Sequence, residues 1–198
     1  MNLMSRIWLR IQRAARDLPG DTRGIAAIEF AMIVPLMLVL FFGTVEFSSG
    51  VAVDRKVTLM ARTLSDLTSQ NEKITDTQLT NFFNASSGIM TPYSATPVKS
   101  TITELYVDPA TKVARVQWSK GDAPRGTGST VAIPTALQVG DTYLIYSEVS
   151  YKYTPAVGFV MTKTGIDLSD FTYTRPRYSK CVIYPAPSPG VVASCPTS

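Results

Sequence analysis

The chain has 198 residues, of which 45% are hydrophobic and 17% charged, with 19 Lys and Arg against 15 Asp and Glu for a net charge of +4. That length fits one globular domain plus an appendage rather than two full domains. The complete lack of histidine excludes Ser-His-Asp and Cys-His nucleophiles and histidine-based metal sites.

The positive charge is unevenly placed. Arg6, Arg10, Arg13, Arg16 and Arg23 precede the first apolar run, opposed only by Asp17 and Asp21. Within Met1–Gly20 the arginines recur at helical spacing with Ile7, Trp8 and Ile11 beside them, which predicts a short amphipathic segment lying on a membrane surface. Leu18-Pro19-Gly20 breaks it. A basic flank directly before an apolar run fixes topology rather than binding nucleic acid.

From Phe30 to Val45 no residue is charged, and past Glu46 the apolar character continues to Val53. A helix needs about 20 residues at 1.5 Å each to cross a hydrocarbon core of ~30 Å. Residues 25–53 are therefore expected to form a single transmembrane helix, with 1–24 as a cytoplasmic basic leader and everything beyond Asp54 outside. Glu29 is the anomaly, a carboxylate near the start of a segment otherwise built for lipid. Glu46 lies about 25 Å further along a helix and is read as the outer lipid–water boundary.

Beyond the run, Val57, Met60, Ala61, Leu64 and Leu67 recur at three- and four-residue intervals among charged residues, predicting that the helix continues to about Ser69. A second short helix is expected from Asp76 to Phe83, capped by Thr75, so that 54–86 forms a helical extension. From 87 to 198 the pattern changes to period two. "STITELYVDPATKVARVQWSK" reads as two strands joined at Asp108–Thr111, and "GDAPRGTGST" as a flexible loop. "DTYLIYSEVSYKYTP" is the clearest strand, with Tyr143, Ile145, Val149, Tyr151 and Tyr153 on one face and Glu148 and Lys152 on the other. "FTYTRPRYSKCVIYP" reads as a further strand, broken or edged at Pro176. The tail is too rich in Pro and Ser for regular structure. Cys181 and Cys195 are the only cysteines and both follow the span. In an oxidising compartment they are expected to bridge and tether the tail, closing a loop of about 15 residues worth roughly 3 kcal/mol.

The stretch "RGIAAIEFAMIVPLMLVLFFGTVEF", Arg23 to Phe47, resembles the N-terminus of TadE-like minor pilins, the pseudopilins of tight-adherence (Tad/Flp) pilus systems. The pattern is a basic leader ending in Gly24, four small or apolar residues (Ile25 to Ile28), Glu29-Phe30, and an apolar helix with an early proline, Pro35. "FGTVEF", Phe42 to Phe47, looks like the usual end of such a span. The resemblance covers roughly residues 22 to 65. It implies an α+β, pilin-like fold in which a long N-terminal transmembrane helix packs on a small antiparallel sheet. It also implies that a prepilin peptidase cleaves between Gly24 and Ile25. The implied partners are that peptidase, other pilin subunits and inner-membrane assembly proteins, with the outer domain periplasmic or carried into the pilus. The implied assembly residues are Glu29, Phe30 and Pro35. Glu29 would offset the amino-terminal charge of a neighbouring subunit, a costly buried charge finding its partner; the plainer reading has it snorkel at the interface. Pro35 removes a backbone donor and loosens the helix, or is simply tolerated, as prolines are in membrane helices.

Catalytic patterns are weak. "RGTGS", Arg125 to Ser129, lacks the Walker Lys-Thr ending, and "GIDLSD" offers Asp167 and Asp170 without the further oxygens a calcium loop needs, so they read as solvated turn carboxylates. The expectation is therefore no enzyme, no cofactor, no metal and no nucleic acid. One rival function is an unprocessed, signal-anchored periplasmic binding or structural protein. A second is a secreted domain released before Val51, at small residues Ser48 and Gly50, although the apolar run is long for a signal peptide and Glu46 intrudes.

Overall fold

The computed structural model describes residues 24–155, 165–186 and 194–195. The basic leader before Gly24 and most of the Pro/Ser-rich tail lie outside these residues. The chain divides into two compact units between Val45 and Glu46.

In the first unit the described residues, 24–45, form the start of helix α1, Ile25–Ser69. None of them is buried by the rest of the described chain. In the second unit the same helix becomes one-sided. Val53, Val57, Met60, Ala61 and Leu64 are buried at three- and four-residue spacing, while Asp54, Arg55 and Arg62 stay exposed. The apolar run read as residues 25–53 is thus shared: its last turns, which include the buried Glu46 and Val53, belong to the folded unit.

Helix α2, Asp76–Ser87, starts at a capping box, Thr75 Oγ1 accepting from the Gln78 amide at 3.2 Å and Gln78 Oε1 from the Thr75 amide at 2.9 Å. Its beginning is as expected from sequence, and it runs four residues further. The strands described are β1 (Val98–Val107), β2 (Ala114–Gly121), β3 (Thr130–Val131), β4 (Thr142–Tyr153) and β5 (Ile166–Thr174). They form one antiparallel sheet in the order β3-β2-β1-β4-β5. The β1–β2 hairpin turns where expected: Asp108 Oδ1 accepts the amides of Ala110 and Thr111 at 2.7 and 2.8 Å.

A bulge in β2 decides how the sheet divides its side chains. Glu104 pairs with Trp118, but Leu105 pairs with Val116, which leaves Gln117 as the extra residue. Without it, Val116 and Trp118 would share a face. With it, Trp118 joins the core under α1, together with Ile102, Ile145, Val149 and Tyr151. Val116 turns to the opposite face, where Leu105, Val107, Leu144 and Tyr146 form a second core capped by Ile133 and Leu137. At the end of β2, Gly121 has φ +138°, and a side chain there would collide with the Ser100 carbonyl.

Three sequence expectations change. β4 is covered on both faces, not one. The last strand is β5, Ile166–Thr174, so "GIDLSD" is strand rather than turn, and the chain leaves the sheet two residues before Pro176. The Gly-rich loop after β2 has no regular structure, but Arg125 in it is anchored by Glu148.

Beyond β5, residues 177–186 strap the helix face of the sheet. The Arg177 amide donates to the Ser69 carbonyl at 2.9 Å, and the Ile183 amide and carbonyl bond Glu72 and Ile74. At the centre Val182 is gripped from both sides: its amide donates to Glu104 Oε1 at 2.6 Å, and its carbonyl accepts from the Trp118 indole at 2.7 Å. Cys181 and Cys195 are disulfide-bonded with Cα atoms 5.7 Å apart. The buried Glu104 keeps its second oxygen unpartnered among the described residues. Burial pushes its carboxyl up to about 8, against the opposing pull of the Val182 amide and the Trp118 indole.

Because the folded carboxyl keeps its proton to about pH 8 and the unfolded one releases it near 4.5, the stability it contributes is full below pH 4.5 and is lost as pH rises through 8. Glu104→Gln, which mimics the protonated acid, should flatten this dependence and be the more stable form at pH 9. Urea unfolding followed by tryptophan fluorescence at pH 5 and pH 9 measures it; parallel shifts in both proteins would show that Glu104 does not titrate in this range. Cys181→Ser should lower stability by roughly 3 kcal/mol under oxidising conditions, and adding reductant should bring the wild type down to the variant.

Candidate functional site

The residues singled out in the sequence cluster at the head of α1. Gly24 directly precedes the helix, with open space where a side chain would project. Ile25, the first helical residue, is half exposed. The Gly24–Ile25 bond is therefore uncovered by the rest of the described chain, and glycine adds no side chain to obstruct a cleft closing on it.

Glu29 follows one turn later. On a helix it stands in line with Ile33, Leu36 and Leu40, all exposed, so the carboxylate heads an apolar ridge. It has no hydrogen-bond or ion-pair partner among the described residues. Phe30, beside it, is 68% exposed. Pro35 lies within the unbroken helix and offers no amide to the Ala31 carbonyl. Further along, Thr44 Oγ1 donates to the Leu40 carbonyl at 2.8 Å, folding its hydroxyl back onto the helix rather than outward. Ile25, Glu29, Phe30 and Pro35 thus share three turns of one exposed helix, with Gly24 directly before it. The remaining pair, Cys181 and Cys195, belongs to the other unit and is structural.

Glu46 differs from its expected setting. It is 2% exposed, in the folded unit, where its charge acts on the Tyr153 hydroxyl. The Tyr153 hydroxyl is raised first by burial, with Tyr93 and Glu46 adding to the rise and a bond to Ser49 opposing it.

A second cluster was not anticipated. On the sheet face away from α1, Arg125 forks onto Glu148, with Arg125 Nη2 to Glu148 Oε1 at 2.8 Å, and its guanidinium lies over the Tyr146 ring at 5.1 Å. The Tyr146 hydroxyl donates to Glu148 Oε1 at 2.8 Å, and its ring stacks on Tyr173 at 4.6 Å beside the exposed Phe171. Burial alone pushes the Glu148 carboxyl up; the Arg125 fork and the Tyr146 hydroxyl overcome it and hold the group below its ordinary value. A cleft of about 280 Å³ opens beside this cluster. Arg125 is remote in sequence and sits in a loop without periodicity, so no local pattern signals its pairing. Tyr146 and Glu148 were legible only as alternate residues of a strand. Among the described residues no group of three or more carboxylates and thiols is placed to hold a metal ion.

No curated protein and no solved structure matches the chain. Residues 24–64 match the family model for TadE-like protein. From Gly24 through the first core-packing turns of α1, the N-terminal segment of this chain is TadE-like.

Proposed function

We propose that the protein is a minor pilin or pseudopilin of a Tad-type pilus, made as a precursor, cleaved after Gly24 by a prepilin peptidase, and working by assembly rather than catalysis. The observation that carries this reading is the bare first half of α1: an apolar helix with one carboxylate, unpartnered among the described residues, a turn from its start, in the segment that matches the TadE-like family model.

Lengths support it. From Ile25 to Val45 the helix has roughly 21 residues, or about 31 Å, one hydrocarbon thickness. The arginine-rich flank puts its start on the cytoplasmic side of the inner membrane and the sheet unit in the periplasm. Cleavage leaves an amino group on Ile25 and places Glu29 about 6 Å further along the axis, inside the lipid edge. An ionised group at that depth costs about 3 kcal/mol or more when unpaired, so a neighbouring subunit that supplies an amino terminus lowers the free energy of both charges. Other pilin helices and inner-membrane assembly proteins are the partners this surface suits.

Intact-mass measurement and terminal peptide sequencing of protein recovered from membranes should give a mature start at Ile25. A start at Met1 would leave a signal-anchored protein, and one at Val51 a released domain. Glu29→Ala should insert and accumulate like wild type while piliation falls; normal piliation at wild-type protein levels would sink the charge-pairing role.

A further inference from the structure

In the second unit, the first turns of α1 and the open edge of the sheet enclose a groove of about 220 Å³. Its walls are Phe47 and Val51 from α1, Tyr153 from the end of β4, and Ile166 and Leu168 from the start of β5, with Asp54 at one lip. Apart from that carboxylate the lining is almost wholly apolar. Phe47 is 64% exposed, Ile166 39% and Val51 38%, so the apolar lips face outward where a folded domain in water would carry polar residues.

We propose that this groove is a lipid contact, which seats the folded unit on the outer leaflet with acyl chains and the glycerol region of phospholipids against its apolar walls. The inference rests on the membrane reading above, because it takes residues 25–45 as the span. Phe47 follows the last residue of that run by two positions on the same unbroken helix. From Phe47 to Val51 is about 6 Å along the axis, the thickness of one headgroup layer, and Asp54 lies about 10 Å from Phe47, where water begins. Along α1 the groove residues therefore follow the polarity of the interface, from the apolar Phe47 and Val51 to the charged Asp54. Phospholipid is present at that depth wherever the helix is inserted, whereas a second copy would have to displace it.

The test uses the full chain in phosphatidylcholine–phosphatidylglycerol vesicles. The two native cysteines are bridged, so a single introduced thiol can carry a nitroxide. Ile166→Cys reports the groove, Val39→Cys the span, and Phe171→Cys an exposed aromatic position further along the same strand. Collision with oxygen, which concentrates in lipid, is compared with collision with a water-confined nickel chelate. Ile166→Cys should fall between the other two, its oxygen-to-nickel ratio below that of Val39→Cys and severalfold above that of Phe171→Cys. A water-like Ile166→Cys with a lipid-like Val39→Cys overturns the groove proposal and leaves the membrane reading standing. Water-like behaviour at both positions overturns the membrane reading and the groove with it. A label at Ile166→Cys shielded from both reagents means protein covers the groove, and also overturns the proposal.

Discussion

One helix carries two kinds of surface, and the change from one to the other falls between Val45 and Glu46. Up to Val45, α1 is apolar on every side and nothing in the described chain covers it. Such a run is long and apolar enough to cross a membrane. From Glu46 onward the apolar positions narrow to a stripe, Val53, Val57, Met60, Ala61 and Leu64, which is the right width for one sheet. The backbone does not change at the junction. What changes is the distribution of side chains around it, so the secondary structure is continuous while the units are distinct.

The sheet answers that stripe with close contact rather than bulk. Ser147 Oγ donates to the Ala61 carbonyl at 2.6 Å and Ser65 Oγ to the Ile145 carbonyl at 3.3 Å, small residues that let helix and strand approach while satisfying their own hydroxyls. The bulge at Gln117 then allows one strand to feed two cores, sending Trp118 under the helix and Val116 to the other face. The C-terminal strap closes the helix side. Its hold depends on Glu104, a carboxyl whose burial is tolerated because it accepts the Val182 amide, and whose proton offsets most of the cost of that burial.

Much of this was legible in the chain. The limits of α1, the capping box at Thr75, the β1–β2 hairpin at Asp108 and the disulfide partners each depend on local spacing or on a choice with one solution, and local spacing is what a sequence displays. The head of the candidate site was legible for the same reason: Gly24, Ile25, Glu29, Phe30 and Pro35 fall within twelve consecutive residues, Gly24 just before α1 and the others in it. β5 was misplaced because "GIDLSD" carries two aspartates, which resemble a turn by composition, yet an edge strand with one side open can expose them to water. β4 was read as one-sided because Glu148 and Lys152 interrupt its second face. Glu148 is held there by Arg125, a residue more than twenty positions away in a loop.

The sequence by itself determined the polarity of each segment: an apolar run long enough to cross a membrane in residues 25–45, where no charge interrupts it after Glu29, and period-two strands further along the chain. It also placed Gly24 and Glu29 five residues apart, inside the segment that matches the TadE-like family model. Only the tertiary structure decided that Glu46 is inside the folded unit, that Glu104 clamps the strap, that Gln117 is the bulge and that Arg125 meets Glu148. Those four depend on groups brought together across tens of residues, and their energies come from burial and from partners that exist only after the sheet has formed.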